Sequence, residues 1–226
     1  MARRKIVACY ITRIMTLMMI FWEWGWRIGL SWLSGYLLTQ IYTPILFYYQ
    51  GAELAGQMGL SLTIANMLGL LALSWITRRV PLMAQAVGRK DWGLLDTVFA
   101  KDFIVSTLAF LAGALVLCGL HYFFLEKTHY ANRVLAFWPF VGLLGIVFIN
   151  NITGALAAQL RSFRKEPLVW VSLIGALVSV PTAFVATTYY SVEGLVVAIL
   201  AIQLLFILPV SIYLWRKCNT QWRLEL

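Results

Sequence analysis

Five residues in or beside long apolar runs have types and spacings that could do chemistry: Thr63, Asn66, Asn150, Asn151 and Arg161. On a helix at about 100° per residue with Asn150 at zero, Gly154, Ala158 and Arg161 fall near roughly 40°, 80° and 20°, and Asn151 near 100°. That face is polar or small and ends on a cation. Around Asn66, Gly59 and Thr77 fall near roughly 20°, Thr63 near 60° and Ser74 near 80°. Two such faces could line a hydrated groove for a polar headgroup, with Arg161 at its mouth to receive a phosphate. The competing reading is structural. Asn and Thr also join helices in lipid through hydrogen bonds of about 0.6–2 kcal/mol, and an Arg at a helix end snorkels to the interface.

Bond-making chemistry finds no comparable set. The apolar runs hold no Asp, Lys, Arg or His, and Glu53 and Glu193 stand only at their outer starts. His121, Glu126 and His129 share a polar loop and are read as surface residues rather than a metal group. Cys9, Cys118 and Cys218 have no metal or redox spacing, and no disulfide is expected. No Gly-rich phosphate loop or hydrolase motif occurs. The expectation is a protein with no catalytic residues, metal or cofactor.

The elements that must position the polar residues are the apolar runs themselves. Six are present, at 28–49, 53–77, 103–120, 134–160, 168–189 and 193–215. Each approaches the length needed to cross about 30 Å of hydrocarbon at about 1.5 Å per residue. The chain is 226 residues long, 62% hydrophobic and 12% charged. Water could not solvate such a surface in a folded domain of this size, so lipid is the solvent that fits. Sixteen of the 18 Lys and Arg residues fall in alternate connections, leaving only Lys127 and Arg133 on the other side. By the positive-inside rule both termini are then cytoplasmic. The net charge of +9 is read as a topology signal facing anionic lipid, not as a nucleic-acid surface. The fold class is an all-α, polytopic transmembrane six-helix bundle. Residues 1–25 are read as an interfacial segment with a Trp belt, 26–217 as the transmembrane lobe and 218–226 as a cytoplasmic tail.

Local signals refine this plan. Asp91 is placed to cap a short helix whose stripe of Leu94, Leu95, Val98 and Phe99 should lie along the membrane surface before the third span. Pro44, Pro139, Pro181 and Pro209 lie inside spans and could kink them. The last two spans are separated only by a turn around Ser191, which predicts a tight hairpin.

The stretch Trp26-Arg27-Ile28-Gly29-Leu30-Ser31-Trp32-Leu33-Ser34-Gly35-Tyr36 resembles the opening of the second six-helix half of bacterial polysaccharide (O-antigen type) flippases. These belong to the multidrug/oligosaccharidyl-lipid/polysaccharide exporter superfamily. Pro44 through Ser61 is similar to the next helix pair of that family. Pro81-Leu82-Met83-Ala84 with Gly88-Arg89-Lys90-Asp91 is similar to the connection after its second helix. Gln159 through Pro167 resembles the basic turn before its fifth. The matches span about residues 26–217 in the family's order. The resemblance implies one lobe of a two-lobe exporter fold that carries lipid-linked oligosaccharide or polysaccharide precursors across the bacterial inner membrane by alternating access. Its implied partners are the lipid-linked glycan, membrane lipid and a second lobe. That lobe is a partner chain, a second copy or the missing half of a longer gene, and truncation or degeneration is the favoured account. The alternative is a non-transporting membrane subunit or remnant that acts only through helix packing.

Overall fold

The computed structural model describes residues 29, 35–36, 40–125, 133–163 and 167–225. Every regular element among them is helical. In chain order they are α1 (Tyr42–Gln50), α2 (Ala52–Thr77), α3 (Val80–Arg89), α4 (Trp92–Leu120), α5 (Phe137–Arg161), α6 (Leu168–Ile202) and α7 (Leu208–Glu225). Five-residue π turns follow α4 at His121–Leu125 and join α6 to α7 at Gln203–Ile207. The expected segment 1–25 lies outside the described residues.

Four helical runs are long and apolar enough to cross a membrane: Ala52–Arg89, Trp92–Phe123, Phe137–Arg161 and Leu168–Leu224. The expected count was six. Most of the first expected span falls outside the described residues, leaving α1 as its C-terminal end. The last two expected spans form one continuous run of 57 residues. A straight helix of that length would measure about 86 Å, but this run turns back on itself. Ser191 has non-helical torsions, φ 60° and ψ −153°. Leu168, Val171 and Ala176 before it pack on Ile207, Val210 and Leu214 after it. The turn is held from outside: Ser191 Oγ donates to Gln50 Oε1 at 3.3 Å, and Gln50 Nε2 donates to the Thr187 carbonyl at 3.2 Å.

Packing follows small residues, as it must where lipid gives helices no hydrophobic reason to associate. A Cβ on Gly69 of α2 would stand 2.8 Å from Val147 of α5, and one on Gly154 of α5 would stand 3.3 Å from Leu73. These contacts run α2 and α5 side by side in the same direction. On the far side of α5, Gly142 faces Val196 and Gly145 faces Leu200 of the second arm of α6.

Two local readings change. Asp91 does cap a helix, accepting from the Leu94 N–H at 3.0 Å, but that helix is α4 itself, 29 residues without a break. The amphipathic stripe and the third span are one element, so the expected surface helix does not exist separately. The prolines also divide. Pro44 and Pro139 stand in the first turns of α1 and α5, where no backbone donor is lost. Only Pro181 and Pro209 lie within helical runs, and the π turn precedes Pro209.

The basic ends of the helices meet in a second core of Ile76, Met83, Leu95, Phe99, Leu160, Phe163 and Trp222. Residues 218–225 are therefore not a loose tail. They continue α7, with Trp222 buried, Arg223 bonded to the Asp96 carboxylate, and the Arg223 guanidinium 5.6 Å over Trp92.

Candidate functional site

At the opposite end of the bundle an apolar core brings together Leu46 of α1, Leu62 of α2, Ile146 of α5, and Ala183 and Ile199 of the two arms of α6. Four residues further toward the basic end, every one of these helices carries a polar residue. Tyr42 lies beneath Leu46, Asn66 beneath Leu62, Asn150 beneath Ile146, Ser179 beneath Ala183 and Gln203 beneath Ile199. A step of four residues turns a helix by only about 40° beyond a full revolution, so each polar residue continues the face of the apolar one above it. Tyr42, Asn150, Ser179 and Gln203 form a polar layer across the bundle, whereas Asn66 lies off it, since Gly59 faces Thr43 and Gly69 faces Val147.

Depth and burial make this layer unusual. Ser179 and Gln203 each stand twelve residues from Ser191, about 18 Å at helical rise, close to the middle of a 30 Å hydrocarbon slab. Tyr42, Ser179 and Gln203 are 1%, 0% and 0% exposed, and Asn150 is half-buried. The Tyr42 hydroxyl faces that of Ser179. Yet Tyr42 Oη, Ser179 Oγ, Asn150 Nδ2 and both side-chain polar atoms of Gln203 lack a hydrogen-bond partner among the described residues. An unpaired buried group costs about 1–3 kcal/mol. The layer is uncharged, and nearly all of its groups can both donate and accept hydrogen bonds.

Of the residues singled out from sequence, Asn150 joins this layer, while Asn66 on α2 stands about four residues, or roughly 6 Å, from its level across the α2–α5 seam. The other three do not join it either. Thr63 is exposed, donates to the Gly59 carbonyl at 2.8 Å, and lines an open groove between α1 and α2 with Thr43, Pro44, Phe47 and Leu60. Asn151 turns toward α4, where its Oδ1 accepts from Ser106 Oγ at 3.3 Å. Arg161 is exposed at the basic end of α5, eleven residues beyond Asn150 or about 16 Å along the axis. The two polar faces therefore do not close on a single groove, because Leu73 against Gly154 fills the seam between them.

The contact of Asn151 leads to an acid that the sequence reading left in a cytoplasmic connection. Asp102 is 6% exposed inside α4, one turn from Ser106, with Arg79 Nε at 3.6 Å. It falls on the buried stripe Leu95, Phe99, Asp102, Ser106, Phe110, and that helical spacing is the signal that would have found it. His121, expected at the surface, is 5% exposed. Its Nε2 donates to the Leu135 carbonyl at 2.8 Å, and its ring lies against Phe140. His129 and Glu126 lie outside the described residues. Gln159 was also missed: it is fully buried and accepts from the Trp215 indole N–H at 2.7 Å. Compared with known protein families, curated proteins and solved structures, the chain matches none.

Proposed function

We propose that this chain is one lobe of a membrane transporter that moves a lipid-linked oligosaccharide or polysaccharide precursor across the bacterial inner membrane. In this reading it has six spans, counting run 28–49 and dividing the last helical run at Ser191, with both termini in the cytoplasm. The observation that carries it is the uncharged polar layer at mid-depth in the bundle. Sugar hydroxyls donate and accept hydrogen bonds at once, and Tyr, Asn, Ser and Gln answer both needs without charge. Arg161 at the basic end suits a diphosphate, since its planar fork can grip two oxygens. The apolar core above the layer closes the outer half, so a headgroup meets the layer from the basic side. The order of the motifs resembling polysaccharide flippases agrees with this assignment. Transport by alternating access needs a second lobe, as partner chain, second copy or part of a longer protein.

The alternative, a non-transporting subunit that acts by packing, draws support from the complete burial of Tyr42, Ser179 and Gln203. Surface glycan in a cell lacking its flippase separates the two. Export should be restored when the chain is expressed with a complementary lobe, and should fall in Asn150→Leu while membrane insertion is unchanged. Arg161→Lys should weaken export if the guanidinium grips phosphate. If Asn150→Leu leaves export intact, the layer is not the transport site. If the inserted chain restores nothing with any lobe, the packing role stands instead.

A further inference from the structure

Three fully buried polar side chains meet at one level: the Tyr42 and Ser179 hydroxyls face each other, and neither end of Gln203 has a hydrogen-bond partner among the described residues. Tyr42, Ser179 and Gln203 come from α1 and from the two sides of the α6 hairpin, and the symmetry of that hairpin about Ser191 sets Ser179 level with Gln203. In hydrocarbon, unlike at a surface, bulk water cannot answer these groups. Gln203 is the most telling. It has two hydrogen-bonding ends, no exposure, and a place in the first position of a π turn. Such turns widen a helix locally and are frequent at functional sites. A few residues on, Pro209 has no N–H to return to the preceding turn.

We propose that the layer holds bound water, with at least one molecule bridging the Tyr42 hydroxyl, the Ser179 hydroxyl and the Gln203 amide. Buried waters sit where two to four otherwise unsatisfied polar groups converge, and apolar cavities stay dry. The charge is right for water: the three residues are neutral, and both donors and acceptors are present. Asn150 Nδ2, unpaired on the neighbouring α5, extends the same layer and offers a further donor. The inference rests on the layer's geometry alone and holds whether or not the chain transports a glycan.

Radiolytic hydroxyl-radical labelling of the whole protein in nanodiscs, in water enriched in heavy oxygen, tests it directly. Radicals born from a bound water oxidise the side chain beside it, even where bulk radicals cannot reach. Tyr42 at 1% exposure should be labelled, whereas Met58, 0% exposed in the apolar core, should stay unlabelled although its sulfur reacts more readily. Gln203→Leu combined with Ser179→Ala should abolish the Tyr42 label. The wild-type comparison needs no variant to fold. Tyr42 as unreactive as Met58 would overturn the proposal. So would a Tyr42 label undiminished in the folded double variant, since the water would then not be held by these residues.

Discussion

Arg79→Gln should destabilise the protein more than Asp102→Asn, although both break the same ion pair. Arg79 lies in the turn between α2 and α3 with its side chain 47% exposed, while the Asp102 side chain is 8% exposed and 3.6 Å away. Two unit charges about 4 Å apart attract by roughly 4 kcal/mol at an effective dielectric of 20. Water reaches the arginine, so screening reduces that figure to about 1–2 kcal/mol. Removing Arg79 leaves a carboxylate buried with Oδ2 lacking any hydrogen bond, and the whole of that loss is felt. Asp102→Asn removes the attraction and the burial of charge together, so the two effects offset and the net change should stay within about 1 kcal/mol. Thermal unfolding in detergent reads this as a shift of about 2–4 °C per kcal/mol for a chain of this size. In the Asp102→Asn background, Arg79→Gln should cost almost nothing. Equal losses from Arg79→Gln in both backgrounds would refute the reasoning, because the arginine would then act through something other than Asp102.

Other perturbations test other parts of the bundle. Gln159→Leu should cost about 1–3 kcal/mol in the same assay by leaving the Trp215 indole N–H unpaired. Gly142→Ala, which drives a methyl into Val196, should cost about 1–3 kcal/mol, whereas Gly119→Ala, with nothing nearby, should be neutral or raise stability by up to about 1 kcal/mol. Ser191 occupies torsions that only glycine adopts freely, so Ser191→Gly should match or exceed wild-type stability and Ser191→Val should lower it by about 1–3 kcal/mol. For topology, an impermeant thiol reagent outside the inner membrane should label Tyr189→Cys and spare Gln85→Cys. Both positions are exposed, so the opposite pattern would invert the proposed orientation.

Legibility from sequence varied with the range of the interaction. The cap at Asp91 and the turn at Ser191 were readable because each acts within a few residues. Asn150 was readable as a polar residue in an apolar run, and the layer does contain it. Thr63 and Asn151 carried the same signal and went elsewhere, since a helical wheel gives an angle but not the neighbour at that angle. Asp102 was overlooked because its run was cut at the first apolar residue after it, although its spacing from Leu95 and Ser106 already placed it on the buried face.

Composition and charge order by themselves determined that this chain is helical and suited to lipid, because solvation of apolar surface and the positioning of Lys and Arg depend on residue type and order alone. Only the tertiary structure decided that Tyr42, Asn150, Ser179 and Gln203 share one level. The hairpin at Ser191 sets the level of Ser179 and Gln203. The close approach of α5 to the second arm of α6 at Gly142 and Gly145 sets that of Asn150. Gln50, clamped to Thr187 and Ser191, sets that of Tyr42. Helix periodicity fixes which way a residue faces within its own helix, but the height of one helix against another is set by the few small residues that let their backbones touch.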